Sequence, residues 1–254
     1  MKRRKAGIGI FVIVLIITAV RVKSMDSHRI SGRILAENIA GPGMLRLVEQ
    51  SMQARARKTS VTEIAVKERK HPQAALTFDD GPDIRYTPLL LDGLKERNVR
   101  VSFFLLGEKV EQYPELVERM QKEGHLVGNH TYHHVQLNKL NETKAREEIL
   151  KTNNLIYETT GVYPLYLRPP FGAWKKNLEL CVEMLPVFWT IDTLDWKVQN
   201  TEKIVRTVQE PIEDGAIILM HDEYDTSVEA ALQVVDELKN QGYELVTVDQ
   251  LILP

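Results

Sequence analysis

From Pro72 onward, short apolar runs alternate with longer segments of helical period. That alternation constrains the fold more than any other feature of the chain. The strand candidates are "AALTF" (74–78), "RVSFFLL" (100–106), "HLVGN" (125–129), "LYLRP" (165–169), "VFWTID" (187–192), "AIILMH" (216–221) and "YELVTV" (243–248). The helix candidates are "TPLLLDGLKERN", "YPELVERMQKEG", "NETKAREEILKTNNLIYETTG", "KNLELCVEML", "TEKIVRTVQEPI" and "TSVEAALQVVDELKNQG". Several begin near Asn or Thr and end at Gly, which supply the caps that helix termini need. Such alternation predicts an α/β fold with a parallel sheet and helices outside it. About seven strand–helix units predict a distorted or incomplete (β/α)7-8 barrel, with an open doubly wound sheet as the alternative.

The first residues read differently. "MKRRK" precedes the apolar run "AGIGIFVIVLIITAV", which is followed by "RVK". A basic start before an apolar run is the pattern of an export signal. The run is shorter than the roughly 20 residues of a usual span, and reaches Val22 only if Arg21 snorkels to the interface. No small-residue cleavage site follows. Residues 1–22 are therefore expected to be an uncleaved membrane anchor, with secretion after cleavage as the alternative. The basic cluster would remain cytoplasmic and the rest would lie outside. Residues 23–72 are charged and poor in aromatics, and read as a stalk. Residues 73–254 form the catalytic-domain candidate.

A net charge of −2 gives no reason for a nucleic-acid partner. The lone cysteine, Cys181, rules out an intramolecular disulfide framework, and its helical setting predicts a core thiol. Nothing in the chain specifies an oligomer, so a monomer is expected.

In parallel α/β folds, functional groups collect at the carboxyl ends of the strands. Five segments put unusual polar residues there: "TFDDG", "GNHTYHH", "RPPFG", "DTLDW" and "LMHD". His130 and His134 stand four apart, so a helical turn or a tight loop can aim both imidazoles at one metal. "FDDG" offers an oxygen ligand, and a His-His-carboxylate set leaves positions open for water and substrate. A cation would also relieve the repulsion between Asp79 and Asp80. One acid can then ligate, and the other can act as base towards a water whose pKa the metal lowers to about 7. His221 can protonate a leaving group. Arg168 can fix a carboxylate by a bidentate pair, and Asp195 can orient an imidazole. Trp196, Trp189 and Phe171 can supply apolar walls, which suit sugar rings.

These five segments, in this order, resemble the polysaccharide deacetylases of the NodB-homology type (carbohydrate esterase family 4). The likeness runs from about Gln73 to Pro254. It implies a distorted β/α barrel and removal of acetyl groups from N-acetylated sugars, or from O-acetylated ones in some members. Carried over, it implies Asp80, His130 and His134 as ligands of a divalent metal, usually zinc, with cobalt, nickel or manganese as alternatives. Asp79 would be the base, His221 the acid, Arg168 the partner of Asp79 and Asp195 the partner of His221. Leu219 would line the pocket for the acetyl methyl, and Trp196 would form part of the groove wall. Phe171 replaces the family's usual tyrosine but keeps the backbone N–H that helps to stabilise the oxyanion. His133 has no assigned role.

The expected substrate is therefore a cell-wall or surface polysaccharide: peptidoglycan N-acetylglucosamine or a chitooligosaccharide. An O-acetyl xylan esterase on the same scaffold is one alternative. A non-catalytic glycan-binding envelope protein is another.

Overall fold

Burial along β1 (Gln73–Asp79) shows how the sequence builds the sheet. Every residue from Ala74 to Asp79 is buried, so both faces of this strand are covered. Side chains alternate between the faces. Ala74, Leu76 and Phe78 join the large cluster shared with the surrounding helices. Ala75 packs instead with Phe104, Tyr166, Val187 and Val248, on the inner face of the sheet. Thr77 and Asp79 continue that inner row towards the carboxyl end.

The computed structural model describes residues 70–174 and 184–252. After β1 come α1 (Tyr86–Glu96), β2 (Ser102–Leu105), α2 (Gly107–Gln112), α3 (Pro114–Lys122), β3 (Leu126–Asn129) and α4 (Glu142–Thr160). Then follow β4 (Tyr166–Leu167), β5 (Leu185–Pro186), β6 (Ile191–Asp192), α5 (Asp195–Val198), α6 (Thr201–Gln209), β7 (Ala216–His221), α7 (Asp225–Asn240), β8 (Glu244–Leu245) and α8 (Val248–Ile252). The expected anchor (1–22), all but the last residues of the expected stalk, and Cys181 lie outside the described residues. Among the described residues no helix is long and apolar enough to cross a membrane.

All strand pairs are parallel, in the order β5-β4-β3-β2-β1-β7-β6, with β8 pairing the first two residues of β1. This order follows the chain round a ring, with β7 returning beside β1. A doubly wound sheet would instead reverse direction at a switch point, so the half-barrel reading holds and the open-sheet alternative does not. Residues 187–190 carry the chain between the two edge strands. Val187 N–H donates to Leu167 O (2.8 Å) and Thr190 N–H to Ile217 O (2.9 Å).

Helix ends sit where capping residues fall. The Asn141 side chain accepts from Lys144 N–H at the start of α4, and Gly161 ends that helix in the left-handed region (φ 72°). Asn200 caps α6 in the same way. Such N-caps contribute about 1 kcal/mol each.

Four expectations need correction. "VFWTID" is strand only at its last two residues, because 187–190 bridge the sheet edges. "LYLRP" is strand only at Tyr166–Leu167, since two prolines follow and cannot donate to a ladder. "YELVTV" stops pairing early and turns into α8, where the Gln250 side chain accepts from Thr247 N–H (3.2 Å), half of a capping box. Leu185, expected to end a helix, lies in β5; residues 176–183 of that segment are outside the described residues. Just before β1, Pro72 O accepts from Glu244 N–H (2.8 Å).

Candidate active site

Three inward rows of side chains end at the carboxyl edge of the sheet. On β1 the row is Ala75, Thr77, Asp79; on β7 it ends in Leu219 and His221; beyond β4 it ends in Arg168. Register pairs Thr77 with Leu219 and Asp79 with His221. Above them opens a cleft of about 450 Å³ lined by Asp79, Asp80, His130, His134, Phe171 and Trp196, among others. The amino-terminal end of the barrel is closed by α8, whose Val248 joins the inner cluster and whose N–H reaches Ser102 Oγ (3.0 Å).

One ligand atom each from Asp80, His130 and His134 lies within 4.8 Å of the other two. Asp80 Oδ1 is 3.4 Å from His130 Nε2 and 3.5 Å from His134 Nε2. That oxygen is buried and has no hydrogen-bond partner among the described residues, an arrangement that costs free energy unless something else satisfies it. His130 Nδ1 is engaged with Arg168 O (2.7 Å), leaving Nε2 towards the cleft. Burial pushes the His130 pKa down to about 3, against a smaller opposing pull from Asp80, so the imidazole is neutral and able to ligate. This donor set fits a divalent cation of the zinc type. The two histidines are brought together by a loop rather than a helical turn. Thr131 (φ 68°) and His134 (φ 53°) adopt left-handed conformations, as does Asp80 (φ 68°). Each such residue costs roughly 1 kcal/mol or more and persists only where its surroundings over-determine it.

Beside this triad lies an acid–base pair. Asp79 is 3% exposed, and Arg168 is fully buried. Arg168 donates through Nη1 to Asp79 Oδ1 (2.7 Å) and to Thr77 Oγ1 (2.7 Å), while its guanidinium sits 4.2 Å over the Phe104 ring. The contact to Asp79 uses one nitrogen, Nη1, which also donates to Thr77, and is not the expected bidentate fork. Burial raises the Asp79 pKa more than Arg168 and His221 lower it. Across the cleft, the His221 Nδ1 and backbone N–H groups both meet Asp195, at 2.8 Å each. Burial opposes the charged imidazole, yet Asp195, with smaller contributions from Asp79 and Asp80, outweighs it and lifts the His221 pKa to about 9. His221 Nε2 faces the cleft, 3.8 Å from Asp80 Oδ2.

Comparison with known proteins fits this geometry. A polysaccharide deacetylase family model matches residues 66–188. A peptidoglycan-N-acetylglucosamine deacetylase of Bacillus cereus is 40% identical over 186 residues, spanning 70% of this chain and 68% of that protein. The chain belongs to the polysaccharide deacetylase family. This family member is also 42% identical over 185 residues to the peptidoglycan-N-acetylglucosamine deacetylase PgdA of Listeria monocytogenes, covering 73% of this chain but 40% of that protein's length. Among solved structures, the peptidoglycan deacetylase PdaC from Bacillus subtilis superposes with a TM-score of 0.70 at 41% identity, over 72% of this chain and 91% of that one.

Within this polysaccharide deacetylase domain, every singled-out site residue reaches the cleft or one of its two buried ion pairs. Leu219 lines the cleft floor. Phe171, 62% exposed, places its ring 4.5 Å from that of His134 and itself has a left-handed backbone (φ 59°). Trp196 is half exposed on the wall, and Trp189 also lines the cleft. Sequence reading missed Thr77, the second anchor of Arg168. It also missed Asn129, which accepts from Thr131 N–H (2.6 Å) and donates to Ile149 O and Asn153 Oδ1. The period-two row ending in Asp79 would have found Thr77. A strand-end asparagine just before the His loop is the signal for Asn129.

Proposed function

We propose that this protein is a metal-dependent deacetylase that hydrolyses the N-acetyl group of amino sugars in peptidoglycan, with N-acetylglucosamine as the sugar attacked. The observation that carries the reading is the orphaned, buried Asp80 Oδ1 between two imidazole nitrogens, set between the Asp79–Arg168 and His221–Asp195 pairs. Relatives named as peptidoglycan deacetylases support the choice of polymer.

Asp80, His130 and His134 would hold the cation, which we take to be zinc. Bound there, it supplies a lowered pKa for water and a positive charge for the developing oxyanion. Asp79 takes a proton from the attacking water, held in place by Arg168. The backbone N–H of Phe171 donates to the oxyanion. His221, kept protonated by Asp195, gives its proton to the amide nitrogen as the C–N bond breaks, releasing acetate and a free amine. Leu219 receives the acetyl methyl, and Trp196 and Phe171 offer faces for the sugar ring. The basic then apolar start of the sequence supports an extracytoplasmic domain tethered to the membrane.

The deciding measurement is acetate release by the purified protein, with and without zinc, from peptidoglycan, chitooligosaccharides and acetylxylan. We expect zinc-dependent release from peptidoglycan. Full turnover after thorough chelation would refute the mechanism, and release from acetylxylan alone would assign an esterase.

A further inference from the structure

The His130–His134 loop runs between two left-handed residues, and its backbone must be tied down for both imidazoles to face one point. Five backbone N–H groups in and beside the loop have identified acceptors. His130 N–H donates to Leu105 O (2.9 Å), and Thr131 N–H to Asn129 Oδ1 (2.6 Å). Val135 N–H donates to Thr131 Oγ1 (3.2 Å). The two N–H groups in the middle, those of Tyr132 (3.1 Å) and His133 (2.9 Å), both go to one atom, Oε2 of Glu148. The other oxygen, Oε1, meets His133 Nδ1 at 2.8 Å. On the opposite side, the loop carbonyls of Thr131 and Tyr132 accept from Gly107 and Glu108 N–H at the start of α2.

Glu148 sits on α4 beside the helix's buried stripe of Ala145, Ile149, Thr152 and Ile156, and that stripe fixes where its carboxylate points. Its side chain is 16% exposed, whereas that of His133 is 59% exposed. As a surface ion pair alone, His133–Glu148 would be worth little. As the shared acceptor of two loop N–H groups, it sets the path of the segment that delivers His134.

We infer that Glu148 is a positioning residue for the metal centre: by accepting from Tyr132 and His133 N–H it holds the loop in the shape that lets His130 and His134 ligate together. The inference rests on the proposed metal site, and it predicts which property of Glu148 matters. Acceptance by a correctly placed oxygen is required; negative charge is not.

The test is zinc affinity of the purified full chain, measured by competition against a chromophoric chelator, together with the rise in melting temperature that zinc produces. Partners that orient metal ligands typically change affinity 10–100-fold when removed. Glu148→Leu is expected to weaken zinc binding by about 10-fold or more and to shrink the zinc-induced thermal shift. Glu148→Asp, whose oxygens are withdrawn by one methylene, is expected to weaken it as well. Glu148→Gln keeps an oxygen that can accept both N–H groups and is expected to bind close to wild type. If Leu fails to fold, Asp and Gln carry the decision. Wild-type affinity in the Asp variant would overturn the inference while leaving the metal site standing. So would a Gln variant as weak as the Asp variant. A wild-type chain that binds no zinc would remove the site, and the inference with it.

Discussion

Asp79 and His221 are register partners across the β1–β7 pair, and both point to the inner face of the half-barrel. The groups assigned as base and acid are therefore placed by a hydrogen-bonded ladder with the most extensive pairing in the sheet. The three assigned metal ligands arrive differently. Asp80 lies one residue beyond the strand, and His130 and His134 belong to a loop; two of the three have left-handed backbones. Two halves of one cleft thus rest on different supports: sheet register for proton transfer, and loop hydrogen bonds for ligand geometry.

The first prediction concerns the buried ion pair. Arg168 is fully buried, and among the described residues its charge is answered by Asp79 alone at contact distance. Asp79→Asn keeps the shape but leaves that charge uncompensated, which should cost about 3 kcal/mol. Adding Arg168→Met to Asp79→Asn should return most of that stability, because no unpaired charge remains. Neither variant should release acetate. Urea unfolding of wild type, single and double variants checks the stability, and equal stability of wild type and Asp79→Asn would count against the pairing.

The second follows from the His221–Asp195 pair. An acid must carry its proton, and His221 loses it only as pH rises through about 9. The rate of acetate release should therefore fall on the alkaline side, and with a cation bound at Asp80, whose Oδ2 lies 3.8 Å from His221 Nε2, the limb should lie below that pH. Asp195 is what lifts the imidazole against its burial. Asp195→Asn should move the alkaline limb to lower pH and cut the rate, as profiles of kcat/KM against pH would reveal. The sign for stability agrees: a folded pKa above the unfolded one gives stabilisation that is present at low pH and lost as pH climbs towards about 9.

The third concerns Gly81, the residue after Asp80. A methyl group there would lie 2.5 Å from Asp222 Oδ1 and 2.9 Å from Oδ2. The carboxylate cannot swing away freely, because Thr87 Oγ1 donates to it from within α1. Gly81→Ala should cost about 2 kcal/mol by overpacking, and should weaken zinc binding by displacing Asp80. Pairing it with Asp222→Ala should relieve the clash and restore part of the affinity. An unchanged melting temperature and zinc affinity in Gly81→Ala would show that the turn yields easily.

Much of this was legible in the sequence, and the reasons are specific. "AALTF" and "AIILMH" read as strands because burial on both faces leaves continuous apolar runs, and both formed nearly as expected. The five polar segments marked the carboxyl edge because charged residues directly after such runs have few other places to be. "VFWTID" misled because its apolar residues serve an irregular crossing between sheet edges, which has no period. α8 was hidden because two residues of local capping chemistry, Thr247 and Gln250, overrode the β-branched valines. Glu148 was invisible for a different reason. One glutamate among several in a helix is marked only by what its carboxylate meets, and that depends on a loop fifteen residues away.

The last prediction lies away from the cleft, at His125. This imidazole is 4% exposed, stands edge-on to Phe103 with ring centroids 5.4 Å apart, and accepts from Val101 N–H through Nδ1 (3.1 Å). Burial lowers its pKa to about 4, only partly opposed by Glu123. The unfolded chain therefore binds this proton at a higher pH than the folded one. Stability should fall as pH drops from about 6.5 towards about 4, by up to about 3 kcal/mol from this group. Protonation would also turn Nδ1 into a donor and break its bond with Val101 N–H. His125→Leu removes the titration at the cost of that bond. The variant should be less stable at pH 7, yet its stability should vary less with pH between 6.5 and 4. Chemical unfolding at a series of pH values measures both slopes, and equal slopes would exclude His125 as a source of the acid sensitivity.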